Sequence, residues 1–541
     1  MNFIKKLLYT VAVIALPFTS FAQSDADEKP KENWQNLDLK NDGVFGISTE
    51  KAYNELLKGK TSKPVIVAVI DGGIDEKHED LKQVMWVNPK EIAANGIDDD
   101  KNGYIDDIHG WNFLGKVHHD NMEVVRLVNK LQPKYAAALN STPFSEEERK
   151  EFQLYKKLVT DYMARLQQAK MGFQNTTLIL KHLDEILVKM GKTEPTIVDF
   201  NDYKSEGDIE SQVVKFIKPE IKKSSYKEFR QELEEGIKHY DTQIKYHLNL
   251  EYDPRKDSIG DNYANSYEKF YGNNDITGPD AEHGSHVAGI IGAVRSNNLG
   301  IKGIADNVKI MALRTVPDGD ERDKDVANSI RYAVDNGAKI INMSFGKAYS
   351  WDKKVVDEAV KYAVSRDVLL VHAAGNDGKN TEKEDNVPNR LFADSTGVTM
   401  GNAEGWIEVG ASGWKNDEDL VASFSNYGGK SVDVFAPGVK INSTMPDSKY
   451  KENDGTSMAS PVVAGLAALI RSYYPQFTAV QVKDIIMNSV TKVDQKVKIR
   501  EEGNSTKVPV SQISVSGGVV NAYNALILAE KTNSTASVKS K

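Results

Sequence analysis

The sequence predicts an α/β fold: a parallel central sheet with helices on both faces, interrupted by an α-helical insertion. Three observations predict it. Short apolar runs closed by Gly, Asn or Asp recur at 65–70, 309–316, 338–344, 368–374 and 406–411. Runs of this kind read as strands buried on both faces. Helical patterns at 326–336 and 353–365 lie between them. From about 116 to 275 the texture changes, and apolar residues recur three and four apart. A chain of 541 residues, 40% hydrophobic, can bury a large core. It has no cysteine, so that core, bound ions or both must hold it without disulfides.

The N-terminus reads as an export signal. Lys5 and Lys6 precede an apolar run at 7–16, Pro17 breaks it, and Ser20 and Ala22 supply the small residues of a cleavage site. The run is shorter than the roughly 20 apolar residues that span a bilayer. Residues 1–22 are therefore expected to be removed, and no later segment reads as transmembrane. The destination is periplasmic in a cell with two membranes and extracellular otherwise. Residues 23–63 form a lead-in with one short helix near 52–57.

The run at 65–70 ends on Asp71-Gly72-Gly73. Parallel sheets bind ligands at the carboxyl ends of their strands, so polar residues there are read first. In the insertion, Ser145 with Glu148 and Ser225 with Glu228 form capping-box patterns. Helical stretches follow at 152–166 and 226–248, with a third at 179–190 closed by Gly191. The expected organisation is a sheet domain at 64–115 and 276–530, the insertion at 116–275, and a disordered tail at 531–541, which lacks core residues. A net charge of -9 argues against binding nucleic acid or an anionic membrane.

Three segments carry chemistry. V-A-V-I-D-G-G-I-D puts Asp71 at the end of a buried strand. E-H-G-S-H-V-A-G-I-I-G-A, from Glu282, puts His283 at the start of a small-residue helix. Gly284, Ala288 and Gly289 let that helix pack closely, and His286 reads as structural because no further ligand follows at metal spacing. D-G-T-S-M-A-S-P-V-V-A-G-L-A-A-L-I, from Asp454, puts Ser457 at the start of a nearly uncharged helix with Pro461 in its first turns. The free N–H groups and positive dipole end of such a helix suit a developing oxyanion. Alone, Asp71 reads as a turn cap and Ser457 as a helix cap. Together the three supply a hydroxyl, a base to take its proton, and a carboxylate to orient the base.

In the order Asp, His, Ser, these segments resemble the signature segments of the subtilisin-like serine peptidases. The resemblance covers about 64–114 and 276–490. It implies a subtilisin-like three-layer fold and a serine endopeptidase that cleaves protein or peptide substrates through an acyl-enzyme, with Asp71, His283 and Ser457 as catalytic triad. H-A-A-G-N-D-G, from His372, resembles the family's oxyanion-hole segment. Asn376 then donates its side-chain amide beside the Ser457 N–H, and His372 is a core histidine. I-I-N-M-S-F-G resembles the strand that lines the primary specificity pocket, where Ser344, Phe345 and Gly346 offer backbone to an extended substrate.

Gly72 stands where the family has Ser or Thr, so Asp71 lacks a hydroxyl partner. Ser285 replaces a Thr. Asp454 replaces a Ser and brings a carboxylate towards the nucleophile, with an expected effect on pH optimum. The alternative reading is a masked or inactive member that acts as a binding or scaffold protein through its insertion.

Residues 95–107, N-G-I-D-D-D-K-N-G-Y-I-D-D, resemble the start of an EF-hand-type loop. Asp98, Asp100, Asn102 and Asp106, with the Tyr104 carbonyl, are the expected ligands of a structural Ca2+. Hard oxygen donors favour calcium over transition metals. The loop's closing Glu is missing, with His109 in its place. The chemistry itself needs no cofactor.

Overall fold

Along β1 (Val65–Asp71), Val65, Val67 and Val69 alternate with Ala68 and Ile70, and the strand buries both sets. The valines pack with Val287, Ile290, Val462 and Leu466, and the other pair packs with Val326, Ile330, Val355 and Val360. Two apolar layers therefore cover the two faces of one sheet, as the sequence predicts. The computed structural model describes residues 29–539 apart from 141, 257, 385, 394–398 and 502–503. The expected signal peptide lies outside the described residues.

The other strands of the sheet are β2 (Gly110–Asn112), β3 (Val308–Arg314), β4 (Ile340–Met343), β5 (Leu369–Ala373), β6 (Trp406–Ser412), β7 (Val434–Pro437), β8 (Thr491–Lys492) and β9 (Gly518–Val519). Their order is β8-β9-β7-β6-β5-β4-β1-β3-β2, and every pair is parallel except β8 with β9. The helices of this unit are α1 (Glu282–Gly292), α2 (Asp323–Asp335), α3 (Lys353–Ser365), α4 (Thr456–Tyr473), α5 (Ala479–Asn488) and α6 (Ala522–Lys539). From Thr456 to Ser472 every residue of α4 is buried except Ser457. Gly465 makes this possible, since a Cβ there would stand 2.7 Å from the Cβ of Ile304.

The lead-in is more than a connector. Trp34, at 1% exposure, joins the core beside Ile47 and Ala52, and its indole donates to the Val439 carbonyl at 3.1 Å. Phe45 and Ile47 are pinned by backbone hydrogen bonds to Trp414 and Ala522. Short helical turns lie at Leu39–Asp42, Thr49–Ala52 and Tyr53–Leu57.

The chain divides into two compact units: Lys29–Glu123 with Asp253–Lys541, and the helical residues Val124–Tyr252. The helical unit is thus shorter than the expected insertion at 116–275. Residues 253–271 are held in the sheet-bearing unit by buried ion pairs, with Arg255 on Asp261 and Asp325 and Lys324 on Asp261. In the helical unit, the expected stretches at 152–166 and 179–190 form one helix, Glu146–Met190, capped by Ser145 and closed by Gly191. Gly172 lies in its middle, where a Cβ would stand 2.4 Å from the Tyr240 ring, so glycine here serves packing and does not break the helix.

α6 continues to Lys539, into the residues expected as a tail. Thr532, Ser534 and Thr535 return their hydroxyls to carbonyls four residues back, an alternative to solvent for polar side chains within a helix. Among the described residues no helix is long and apolar enough to cross a membrane.

Trp34→Ala removes a buried aromatic that anchors the lead-in. It is expected to cost about 3–5 kcal/mol, read by denaturant unfolding followed by circular dichroism. An unchanged midpoint means the lead-in contributes nothing to the core.

Candidate active site

Asp71, Ser344 and Asn376 leave β1, β4 and β5 at one edge of the sheet, and α1 and α4 begin there. Asp71 is buried, and one carboxylate oxygen accepts the Gly72 N–H at 2.8 Å. The His283 Nδ1–H donates to both carboxylate oxygens, at 2.8 and 3.0 Å. Gly284 permits that approach: a Cβ there would stand 2.1 Å from the Gly73 carbonyl oxygen and 3.1 Å from the Asp71 Cβ. The His283 side chain remains 45% exposed, so its outer face is open to solvent. Desolvation at the sheet edge disfavours the charged ring. The Asp71 carboxylate and its hydrogen bond outweigh this, Asp280 adds to them, and His283 titrates above the ordinary imidazole range.

Ser457 is one residue into α4. Its hydroxyl donates to the Ser344 carbonyl at 3.1 Å. The structure thus joins Asp71 to His283 and leaves Ser457 bonded to the edge of β4. Asn376 uses its Oδ1 to accept from Thr456 N and Thr456 Oγ1, at 2.9 and 2.8 Å. Its Nδ2 faces the space left by Gly455, which has φ 151° and no side chain. A Cβ at that glycine would lie 3.5 Å from both Asn376 Nδ2 and Ser457 N. Two N–H donors therefore border one small gap beside the serine. Asn426 holds the loop behind them: its Oδ1 accepts from Asp377 N and Lys379 N, and its Nδ2 donates to the Ala374 carbonyl.

Ser344 uses its side chain internally, accepting from Asn342 and donating to the Ser457 carbonyl. Phe345 packs its ring towards His372, with centroids 6.4 Å apart. Gly346 meets Asn386, whose Oδ1 would lie 2.4 Å from a Cβ there. Next to it, Lys347 pairs with Val387 through two backbone hydrogen bonds. The stretch after Asn376 thus folds back against the 344–347 edge. Thr456, Asn386 and Asn426 are positioning residues that sequence reading missed, because each acts across 12 or more residues.

The departures find partners. The Gly72 amide serves Asp71 in place of the missing hydroxyl. Ser285 Oγ accepts the Asp75 N–H at 2.8 Å. Asp454 turns its carboxylate onto the Lys440 N–H at 2.6 Å. His286 is fully buried on the Lys451 carbonyl, and burial pushes it down to about 4. His372 is fully buried against Glu408, at 2.9 Å.

The acidic loop differs from its expected ligand set. Ligand atoms of Asp98, Asp100 and Glu91 lie within 4.8 Å of one another. Glu91, seven residues before Asp98, was missed by sequence reading. Asp106 instead accepts the amides of Asn95 and Gly96 at 3.1 and 2.9 Å. Asn102 faces Asp107, and the Tyr104 ring is buried.

A buried carboxylate on an imidazole thus shares the carboxyl edge of a parallel α/β sheet with a helix-terminal serine. A profile of the subtilase family matches residues 62–505, and the chain belongs to that family. A thermophilic serine proteinase of Bacillus sp. strain AK1 is 42% identical over 191 residues, which cover 35% of this chain and 42% of the relative. The chain thus spans less than half the length of that protein. Subtilisin BL of Lederbergia lenta is 35% identical over 212 residues, covering 39% of this chain and 71% of the relative. A solved protease structure from Pseudoalteromonas arctica aligns with 48% of this chain and 79% of its own, at 27% identity and a TM-score of 0.38.

Asp71→Asn removes the charge that lifts the His283 pKa and leaves the desolvation that lowers it. The pKa, followed by NMR of the imidazole, is expected to fall. An unchanged value means Asp71 is not the partner that sets it.

Proposed function

We propose that the protein is an exported serine endopeptidase that cleaves protein or peptide chains with Asp71, His283 and Ser457. The observation that carries this reading is the Asp71–His283 pair, held at 2.8 Å on the edge where α4 presents Ser457. Membership of the subtilase family supports it, as does the pattern of residues 1–22 for export to the periplasm or the medium.

A peptide lies extended along Ser344, Phe345 and Gly346, with its scissile carbonyl over the Gly455 gap. The Ser457 hydroxyl turns from the Ser344 carbonyl to His283 Nε2, gives up its proton and attacks. Asp71 keeps Nδ1 protonated and stabilises the imidazolium. The oxyanion takes hydrogen bonds from Ser457 N–H and Asn376 Nδ2. His283 then protonates the leaving amine, and water repeats the sequence on the acyl-enzyme. The base must be neutral to act, so kcat/KM rises with pH through a His283 pKa above the ordinary imidazole value.

A donor set of Glu91, Asp98 and Asp100 fits Ca2+. All three donate hard oxygen, and Glu91 Oε2 is buried with no hydrogen-bond partner among the described residues. Bound there, the ion offsets three carboxylates and steadies the loop without entering the chemistry.

A fluorophosphonate probe is expected to label the folded chain and not its Ser457→Ala variant. Asn376→Ala is expected to lower kcat about 10^2- to 10^3-fold with little change in KM. No labelling of folded parent protein leaves the binding or scaffold reading. Calcium chelation is expected to lower the melting temperature of the parent, and Asp98→Asn to remove that sensitivity. Equal sensitivity in both sinks the calcium assignment.

A further inference from the structure

Two adjacent histidines, His118 and His119, follow β2, and Asp318 follows β3 by four residues. The parallel pairing of these strands continues beyond their ends. Asp318 N donates to the His118 carbonyl and Asp120 N to the Asp318 carbonyl, both at 2.9 Å. Gly319, at φ 139°, has no room for a Cβ, which would stand 2.3 Å from the Asp120 carbonyl oxygen. Arg322 grips the Asp120 carboxylate at 2.6 and 2.7 Å in a buried pair. Arg314 donates to the Val117 carbonyl at 2.5 Å. Both backbones are therefore fixed independently of any ligand, as a preorganised site requires.

On this frame the two imidazoles stack, with centroids 4.2 Å apart and planes 18° apart. The His119 Nδ1 and an Asp318 carboxylate oxygen are 2.7 Å apart. One ligand atom from each of the three residues lies within 4.8 Å of the other two. Side chains at 24% and 41% exposure for His119 and Asp318 leave a solvent route to the cluster. Two imidazoles and one carboxylate form a three-ligand set that keeps a fourth position open. Imidazole nitrogen selects Zn2+ and its first-row neighbours over calcium and magnesium, which prefer oxygen alone. Metal–ligand bonds of about 2.0–2.2 Å require only side-chain movements of the order of an ångström here.

We propose that His118, His119 and Asp318 form a binding site for Zn2+ or a similar first-row dication, with a fourth position open to water. The ion clamps the 118–120 segment to the loop after β3. That loop begins beside Asp71, because Thr315 N and Val316 N donate to the Asp71 carbonyl. The site is separate from the acidic loop in place and in donor type, and it does not depend on the peptidase reading.

The test uses the full chain carrying Ser457→Ala, in excess Ca2+ to fill oxygen-only sites, titrated with Co2+. One equivalent is expected to bind with the visible absorption of a low-coordinate Co2+ centre. Zn2+ is expected to displace it and to raise the melting temperature. His119→Ala and Asp318→Asn, each checked for folding by circular dichroism, are expected to weaken binding by more than about tenfold. His118→Gln keeps the question decidable if the first variant does not fold. No Co2+ spectrum, competition by Ca2+, or affinity unchanged in the folded variants overturns the proposal.

Discussion

The near-complete burial of α4 is the constraint on which the rest of this unit depends. A helix enclosed on all sides has no face for long or charged side chains, and its neighbours must approach closely. The composition of α4 answers this with Ala, Gly, Ser and Val, and Gly465 sits almost against Ile304. Its one charged residue, Arg471, lies in the last turn. It donates to the Lys339 and Asp367 carbonyls and pairs with the Asp367 carboxylate. An enclosed helix still has two ends, and its N-terminus opens at the carboxyl edge of the sheet. Ser457 is half-buried at that opening, the one residue from Thr456 to Ser472 that the core does not enclose.

Two buried charges shape that same edge. Burying a charge is costly unless hydrogen bonds replace its water. Asp71 is supplied by the Gly72 amide and by His283. Arg314 lies opposite Asp71 in the β1–β3 register, yet its guanidinium finds carbonyl and amide oxygens instead of a carboxylate. It donates to Gly72 O, Asn112 Oδ1, Gly115 O and Val117 O. Burial pushes Arg314 down to about 10, so it stays protonated at neutral pH. Its partners lie in two chain segments, and one side chain thereby fixes the turn after β1 and the path after β2. Gly278 is glycine for the same reason, since a Cβ there would stand 2.1 Å from Arg314 Nε.

How much of this could be read in the sequence follows from how local each signal is. The strands were legible because parallel strands buried on both faces are continuous apolar runs, and β3 to β6 fall within about two residues of expectation. Asp71, His283 and Asn376 were legible as site candidates because each follows or faces such an element. The role of the lead-in was not, because Trp34 packs against Trp414 and donates to the Val439 carbonyl, some 400 residues away. The side-chain partners in the acidic loop were illegible for a related reason. Alternating carboxylates pointed to Asp106, but nothing local announces that Asp106 accepts the Asn95 and Gly96 amides or that Glu91 lies beside Asp98 and Asp100. Residues 167–178 weakened the periodic pattern, so one long helix read as two.

The insertion raises a general question: how a sheet tolerates more than a hundred residues between two neighbours of one site. The structure confines the problem to the junctions. On the entry side, Asp120 is locked by Arg322, and Glu123 by Lys347 at 2.7 Å, with all four side chains nearly or fully buried. On the return side, Arg255 bridges Asp261 and Asp325, and Lys324 bridges Asp261 and Glu268. Buried ion pairs add little net stability over apolar packing, but removing one partner costs about 3–5 kcal/mol. That asymmetry suits a junction, because it penalises every misplaced register without needing a large apolar surface. The helical residues between carry their own core, with Leu183, Ile217, Phe229 and Leu233 fully or nearly buried. Both ends of the excursion are thus pinned by charge within the sheet-bearing unit, and the spacing of Asp71 and His283 in space is freed from their spacing in sequence.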